Sequence, residues 1–409
     1  MSTLSHTTGD ATLAFLTEGY LFGQNRFDRW RTDAFRCRLA GRRVLMLRGT
    51  EAARFFYERE RFTRQGAIPR SVVHSLQDEG SVQSLDAEAH RGRKQQFLEV
   101  LDVDGRSLLV RSFESAWDDA TKHWQKASSI SLLPAVSEVL TRAALRWAGI
   151  GASRNDIASR TSEFMAMIDG AGSVGPRNWR GRRLRRRTEN WAAGLIERVR
   201  DAPPERATVL SEVAQWRDAA GDLLTRDVAA VELLNLLRPV VAIGRFIAFG
   251  ALALHVHPQW RDHVIAEPTA RMAFGAEVRR TAPFFPLMAG RARHPLSWHG
   301  TDIARGDHVV IDLFATNRHP DEWSDASRFD PGRFLHGGAD TRRIVAQGAG
   351  DMVDGHRCPG EPSTAQLLES AVLQLARSDW TLLTRDLHTD LRRIPALPGS
   401  SDLNVLWVG

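Results

Sequence analysis

Apolar residues recur at intervals of three and four over Ser129 to Ala148, Thr188 to Asp201, Ser211 to Leu224, Val228 to Leu254, Met272 to Arg280 and Ser363 to Ala376. That spacing lays one face of a helix against a core. Two shorter pieces, Arg43 to Leu47 and His308 to Leu313, read as strands, the second set up by the turn signal Arg305-Gly306-Asp307. The pattern predicts a mainly α fold with small β-sheets. It lapses from Asn317 to Asp354, where Pro, Gly and Asp recur with little periodicity, and long irregular stretches inside packed chains are usually functional. This one runs into Gly355-His356-Arg357-Cys358-Pro359-Gly360, just ahead of the helix at Ser363 to Ala376.

No Gly/Ser or Pro-rich linker and no fixed-period repeat divides the 409 residues, so one domain over 1–409 is expected. With 25% charged and 43% hydrophobic residues the chain can bury a large core, which excludes disordered and fibrous classes. Cys37 and Cys358 are the only cysteines, too few and too far apart for a disulfide framework or a zinc ribbon. Met1 to Asp10 lacks the basic and apolar regions of a signal peptide. The apolar run Val240 to Val256 is interrupted by Arg245 and is short for a bilayer. A cytoplasmic protein with no integral membrane segment is expected. The net charge of +6 suits an anionic partner, but lysine occurs only at Lys94, Lys122 and Lys126, and genome composition alone produces such an arginine bias.

Cys358, framed by glycines before an amphipathic helix, stands near the positive end of that helix, where the dipole and backbone N–H groups favour a thiolate. On the residues alone three readings stay open: nucleophile, metal or heme ligand, and inert buried thiol. A nucleophile needs a base, and His356, two positions away, rarely has the side-chain geometry for it; a heme thiolate needs none. Glu277 and Arg280 lie one helical turn apart, and Phe329-Asp330-Pro331-Gly332-Arg333-Phe334 offers a second arginine to the same carboxylate. A Glu–Arg pair, a Pro–Arg–Phe meander and a Gly-flanked Cys before a helix, in that order, form a specific set.

In these residues the sequence resembles the heme-thiolate cytochrome P450 superfamily and, within it, the bacterial fatty-acid peroxygenases. The likeness spans roughly Arg26 to Ala376. It is carried by Arg61-Phe62-Thr63-Arg64-Gln65-Gly66-Ala67-Ile68-Pro69, Val82-Gln83-Ser84-Leu85-Asp86 and Val174-Gly175-Pro176-Arg177-Asn178-Trp179. Leu237-Arg238-Pro239, Pro283-Phe284-Phe285-Pro286, Asp312-Leu313-Phe314-Ala315-Thr316-Asn317 and the Cys358 loop continue it. The resemblance implies a cytochrome P450 fold with heme b, its iron held by Cys358 as proximal thiolate. It makes Arg64, His90 and Lys94 partners of the heme propionates, which need cationic donors inside a protein. The superfamily usually has Phe seven residues and Gly four residues before the cysteine; here Asp351 and Asp354 stand there, as the peroxygenase branch allows.

The resemblance also aligns Arg238 and Pro239 with the acid and alcohol that deliver protons to iron-bound dioxygen in oxygen-using relatives, so that relay is missing. A substrate carboxylate held by Arg238 in a charge-assisted pair replaces it, and Pro239 frees the carbonyl of Asn235. Arg245, seven residues on, is the rival anchor. Gln83 takes a distal position where relatives have Gln or His; glutamine cannot titrate, which favours hydroxylation over decarboxylation. Gln77 stands where the family often has an aromatic residue, and Pro283 to Pro286 are expected to line the acyl channel.

The implied activity is hydroxylation of a long-chain fatty acid at the alpha or beta carbon with hydrogen peroxide, with no obligatory redox partner and no nucleic acid. Its rivals are decarboxylation to a terminal alkene, a redox-partner-dependent monooxygenase, and a heme-free helical protein binding anions or nucleic acid. Gly170-Ala171-Gly172-Ser173-Val174-Gly175 matches a dinucleotide fingerprint but follows a helix-like stretch and runs into Pro176, so neither the strand before it nor the helix after it is expected. The arginine-rich run Arg177 to Arg187 reads as a solvated cationic face near the substrate entrance.

Overall fold

The computed structural model describes residues 6–68, 80–335 and 337–408. The main helices are α1 (Ala87–Val100), α2 (Val103–Trp124), α3 (Leu132–Trp147), α4 (Arg154–Gly170), α5 (Pro176–Asp201), α6 (Arg226–Ala242), α7 (Gly244–Val256), α8 (Pro268–Thr281) and α9 (Glu361–Arg377). Each turns its apolar face inward. In α3, Leu133, Val136, Leu140, Ala143 and Trp147 are buried, the three-and-four spacing the pattern predicts. α6 lies among α3, α4 and α5, while α9 packs on α2, α7 and α8.

The small sheet follows the same logic. Strands β1 (His6–Asp10), β2 (Ala34–Leu39), β3 (Arg42–Leu47), β4 (Phe62–Thr63), β5 (Leu287–Ala292) and β6 (His308–Asp312) form it in the order β1-β2-β3-β6-β5-β4. The predicted strands Arg43 to Leu47 and His308 to Leu313 are β3 and β6, paired in parallel with Val44 opposite His308 and Leu47 opposite Ile311.

Three readings of the periodicity need correction. Ser211 to Leu224 is not one helix: a helix covers Val209–Ala214, and the chain then turns back so that Arg217 bridges Leu223. Asp218 accepts hydrogen bonds from Ala220 and Asp222 N–H, and Gly221 takes φ 86°, a side-chain-mimicked turn that outcompetes the helix. Val228 to Leu254 is two helices, broken at Ile243. Thr188 to Asp201 is only the second half of α5, which starts at Pro176, where proline is well suited to the first helical position. The arginine-rich run is therefore helical, and Gly170 to Gly175 joins two helices: no strand precedes it, as expected, but a helix does follow it, from Pro176. Arg226–Val256 is apolar enough by composition to cross a membrane, yet most of its apolar window is buried in the fold, as a core element is.

Among its described residues the Asn317 to Asp354 stretch has only single-turn helices, at Pro331–Phe334 and Thr341–Arg343. Side chains hold it in place of a ladder. Arg280 pairs with both oxygens of Glu277 at 2.7 Å and donates to the carbonyls of Asn317, Ala326 and Arg328. Arg333 Nε reaches the same carboxylate at 3.2 Å, as does Asp330 N–H at 2.9 Å. Glu277 and Arg280 are fully buried. Glu277→Ala leaves two guanidiniums facing each other out of water and should cost about 3–5 kcal/mol, read as a lowered denaturant midpoint.

Asp312, at the end of β6, accepts from Ala315 N–H at 2.8 Å, and burial pushes its carboxyl up to about 7. A folded-state value above the ordinary 3.8 gives stability that is full below that ordinary value and lost as pH rises through about 7. Asp312→Asn, which keeps the acceptor, should flatten the pH dependence of thermal unfolding across that window.

Candidate active site

Cys358 opens into a largely apolar cavity of about 300 Å³, the size of an ordinary small-molecule pocket. Its loop is irregular, so side chains position it. Cys358 N–H donates to Gln347 O at 3.0 Å. Lys94, from α1, donates to the carbonyls of Gly355 and Arg357, the latter at 2.7 Å. Arg357 and Arg279 both grip Glu361 at the start of α9. The helix end alone does not make the thiolate: burial pushes the Cys358 thiol up, while a hydrogen bond from Gly360 N–H and the charges of Lys94 and Arg279 pull it down. Such a thiol is ionised by a metal. The ring of His356 lies 4.0 Å from that of His90. Burial and the cations of Arg64 and Lys94 push His356 down to about 2.

α6 forms the opposite wall. Here Arg238 is 5% exposed; its Nη2 donates to Asn235 Oδ1 at 2.9 Å, and its Nη1 has no partner among the described residues. Burial, and the guanidinium of Arg185, pull its pKa to about 9, with Glu189 and Glu232 acting the other way. It stays cationic at neutral pH. Phe97, Leu101, Phe246, Phe284 and Phe285 make the walls beside it apolar. Pro239 and Gln83 share the cavity with Arg238 and Cys358.

The two candidate arginines lie in different places. Arg245 does not reach this cavity: it donates to Ala396 O at 2.6 Å and to Asp169 at 3.2 Å and lines a separate pocket. Of the residues expected at the propionates, His90 and Lys94 line the cavity. Arg64 lies one step outside, in a crevice it shares with His90 and His356, donating to Ala289 O at 2.8 Å and lying over the ring of Phe56. Burial and neighbouring cations pull His90 to about 4 and Lys94, largely by burial, to about 8. Phe284 and Phe285 line the cavity, as expected of an acyl channel, whereas Pro283 borders another pocket. Gln77 and Pro69 lie outside the described residues.

These features fit heme. Among the described residues no three His, Cys, Asp or Glu side chains converge on a metal site; Cys358 is the residue that would hold the iron of a heme. Lys94 in the cavity and Arg64 in the adjoining crevice supply the positive charge, and His90 a ring N–H, that two propionates would need.

Comparison with known proteins agrees. The family model described as Cytochrome P450 matches residues 273–362. Ferruginol synthase of Salvia miltiorrhiza is 33% identical over 112 residues, a stretch that spans 26% of this chain but only 22% of that protein. Solved structures align over nearly the whole length. Cytochrome P450SP alpha (CYP152B1) with (R)-ibuprophen is 36% identical, covering 98% of this chain and 99% of its own, at a TM-score of 0.93. Cytochrome P450EX alpha (CYP152N1) with myristic acid is 34% identical over 99% of both chains, at 0.93. A variant of cytochrome P450 OleT with arachidonic acid is 28% identical, covering 99% of this chain and 98% of its own, at 0.94.

The chain is a cytochrome P450 of the CYP152 group. Heme iron is accordingly the cofactor of this P450. The sequence reading missed how its distal wall is held. Glu232, fully buried, accepts from Arg93 Nη1 at 2.6 Å, from Val82 N–H at 2.9 Å and from Asn235 Nδ2 at 2.9 Å. Burial pushes its carboxyl up, and Arg93 and Asn235 act against that. The signal was present: Glu232, Asn235 and Arg238 are spaced by three on an otherwise apolar helix, hence on one face. Lys94→Met should lower the heme content of purified P450, with about tenfold weaker heme retention from loss of a charge-assisted donor, measured by the ratio of Soret to protein absorbance.

Proposed function

We propose that this P450 uses hydrogen peroxide to hydroxylate long-chain fatty acids at the alpha or beta carbon, in the cytoplasm, with no obligatory redox partner and no nucleic-acid partner. One observation carries the reading: a buried guanidinium with an open donor, Arg238 Nη1, in the apolar cavity that holds Cys358. A cation so placed calls for an anion, and an apolar channel calls for an acyl chain. A fatty acid has both. Relatives with the same fold are solved with myristic and arachidonic acid bound.

Heme iron with a thiolate ligand, when bound, supplies the oxygen-transfer chemistry. Cys358 is the proposed proximal ligand, and His90, Lys94 and, from the adjoining crevice, Arg64 are the proposed partners of the propionates. The chain arranges the rest. Neither Arg238 nor Pro239 can relay a proton as an acid–alcohol pair does. Arg238 instead holds the substrate carboxylate, whose oxygen acts as general acid–base toward peroxide within hydrogen-bond reach. The phenylalanine walls exclude water and so strengthen that ion pair. They also hold the chain with its acid end inward, so the carbons nearest the carboxylate face the reacting centre. Gln83 cannot titrate, which supports hydroxylation over loss of carbon dioxide.

The test mixes purified, heme-loaded protein with peroxide and fatty acids of several lengths and identifies the products. Hydroxy acids without any reductase are expected; terminal alkenes would shift the assignment to decarboxylation, and dependence on a reductase would remove the peroxide role. Arg238→Ala should keep the thiolate–heme band of the reduced, carbon-monoxide-treated protein while cutting acid turnover at least about a hundredfold, in line with the loss of one partner of a buried ion pair. Undiminished turnover would end the anchor assignment.

A further inference from the structure

We infer that Glu232 and Asn235 form a polarity relay that sets the direction of the hydrogen-bond donors meeting the substrate carboxylate. Glu232 is thereby a specificity-determining positioning residue, although it does not line the cavity. The inference rests on the reading of Arg238 as the carboxylate anchor.

The argument starts from what each group can do. A carboxylate only accepts hydrogen bonds and a guanidinium only donates them, whereas a primary amide does both from opposite ends. Asn235 sits between the two kinds. One side faces Glu232 Oε2 at 2.9 Å and the other faces Arg238 Nη2 at 2.9 Å. Its NH2 must therefore point to Glu232 and its oxygen to Arg238; the reverse would set acceptor against acceptor and donor against donor. The same NH2 lies 3.3 Å from Gln83 Oε1, which also accepts from Ser81 Oγ at 2.9 Å. With its oxygen taken on both contacts, Gln83 keeps its own NH2 for the cavity it lines.

Both ends of this arrangement thus leave a donor on a cavity-lining residue without a protein acceptor to satisfy it: Arg238 Nη1, which has no partner among the described residues, and the NH2 of Gln83. The direction of the whole set is fixed at Glu232, whose Oε1 is held by Arg93 of α1 and by Val82 N–H. Replacing Glu232 by glutamine changes one atom. Arg93 and Val82 still need an acceptor, so the glutamine oxygen stays with them and its NH2 takes the place of Oε2. That NH2 then faces the NH2 of Asn235. Asn235 must turn over: its oxygen then accepts from that NH2 but is set against Gln83 Oε1, and its NH2 is set against Arg238 Nη2.

The experiment compares Glu232→Gln, Glu232→Asp, Asn235→Ala and Arg238→Ala in heme-loaded protein. It reads the Soret shift on titration with myristic acid and with methyl myristate, and checks heme incorporation by the carbon-monoxide band. A polarity relay predicts that Glu232→Gln raises the Kd for the acid about tenfold or more, raises KM more than it lowers kcat, and leaves the ester unchanged. Glu232→Asp, which keeps an acceptor-only end, should bind the acid more tightly than Glu232→Gln does. A packing role predicts the opposite order, because glutamine keeps the volume of glutamate and aspartate does not; that order would overturn the inference. If Glu232→Gln fails to take up heme, Asn235→Ala decides: a selective loss of acid affinity supports the relay, and an unchanged acid-to-ester ratio refutes it. Should Arg238→Ala bind the acid as the parent does, the anchor reading fails; should it lose the acid while Glu232→Gln and Asn235→Ala do not, the relay alone fails.

Discussion

Arg238 is a cation in a cavity walled by phenylalanine and leucine, and the cost of keeping it there organises everything around it. Burying an ion without a partner costs several kcal/mol, and the protein offsets only part of that cost. Asn235 takes one nitrogen, Glu232 contributes its field from nearly two helical turns away, and the other nitrogen has no protein partner among the described residues. An arginine placed on the surface of a helix would need none of this. The cavity therefore carries a standing preference for an anion, and the apolar walls beside it decide what kind of anion is accepted.

The opposite wall obeys a different constraint. Cys358 lies in a loop with no ladder of its own, so its placement depends on charges brought from elsewhere: Lys94 from α1, and Arg279 and Arg357 through Glu361. Two irregular segments, the loop and the meander before it, are thus clamped to helices by guanidinium and ammonium donors. The distance between thiol and guanidinium across the cavity is set by α1, α6, α8 and α9 rather than by the loops themselves.

Much of this was legible from residue order. Cys358 before a helix and Glu277 with Arg280 and Arg333 could be read as an ordered set of residues, and the Arg238-Pro239 pair through the family resemblance that this set carried. What stayed hidden is equally physical. α1 and α4 escaped the periodicity because their buried faces carry His90, Arg93 and Lys94, and Arg160 and Glu163, which a hydrophobic pattern counts as solvent-facing. β5 escaped because Leu287–Ala292 holds Gly290 and Arg291 among its few apolar residues. The Glu232–Asn235–Arg238 spacing was visible, yet nothing in one sequence says that Arg93 and Gln83, from a distant segment, meet it. The false helix at Ser211 to Leu224 arose because turn residues at Asp218 and Gly221 interrupt apolar spacing that fits either state.

The clamp on the meander has an asymmetry. Every bond that Arg280 makes to it ends on a main-chain oxygen, at Asn317, Ala326 and Arg328, and any amino acid supplies a main-chain oxygen. Evolution is thus free to rewrite the acceptor positions so long as the path of the chain is kept, while Arg280 and its carboxylate are held to one identity each. A fold secured in this manner can diverge in text far faster than in shape.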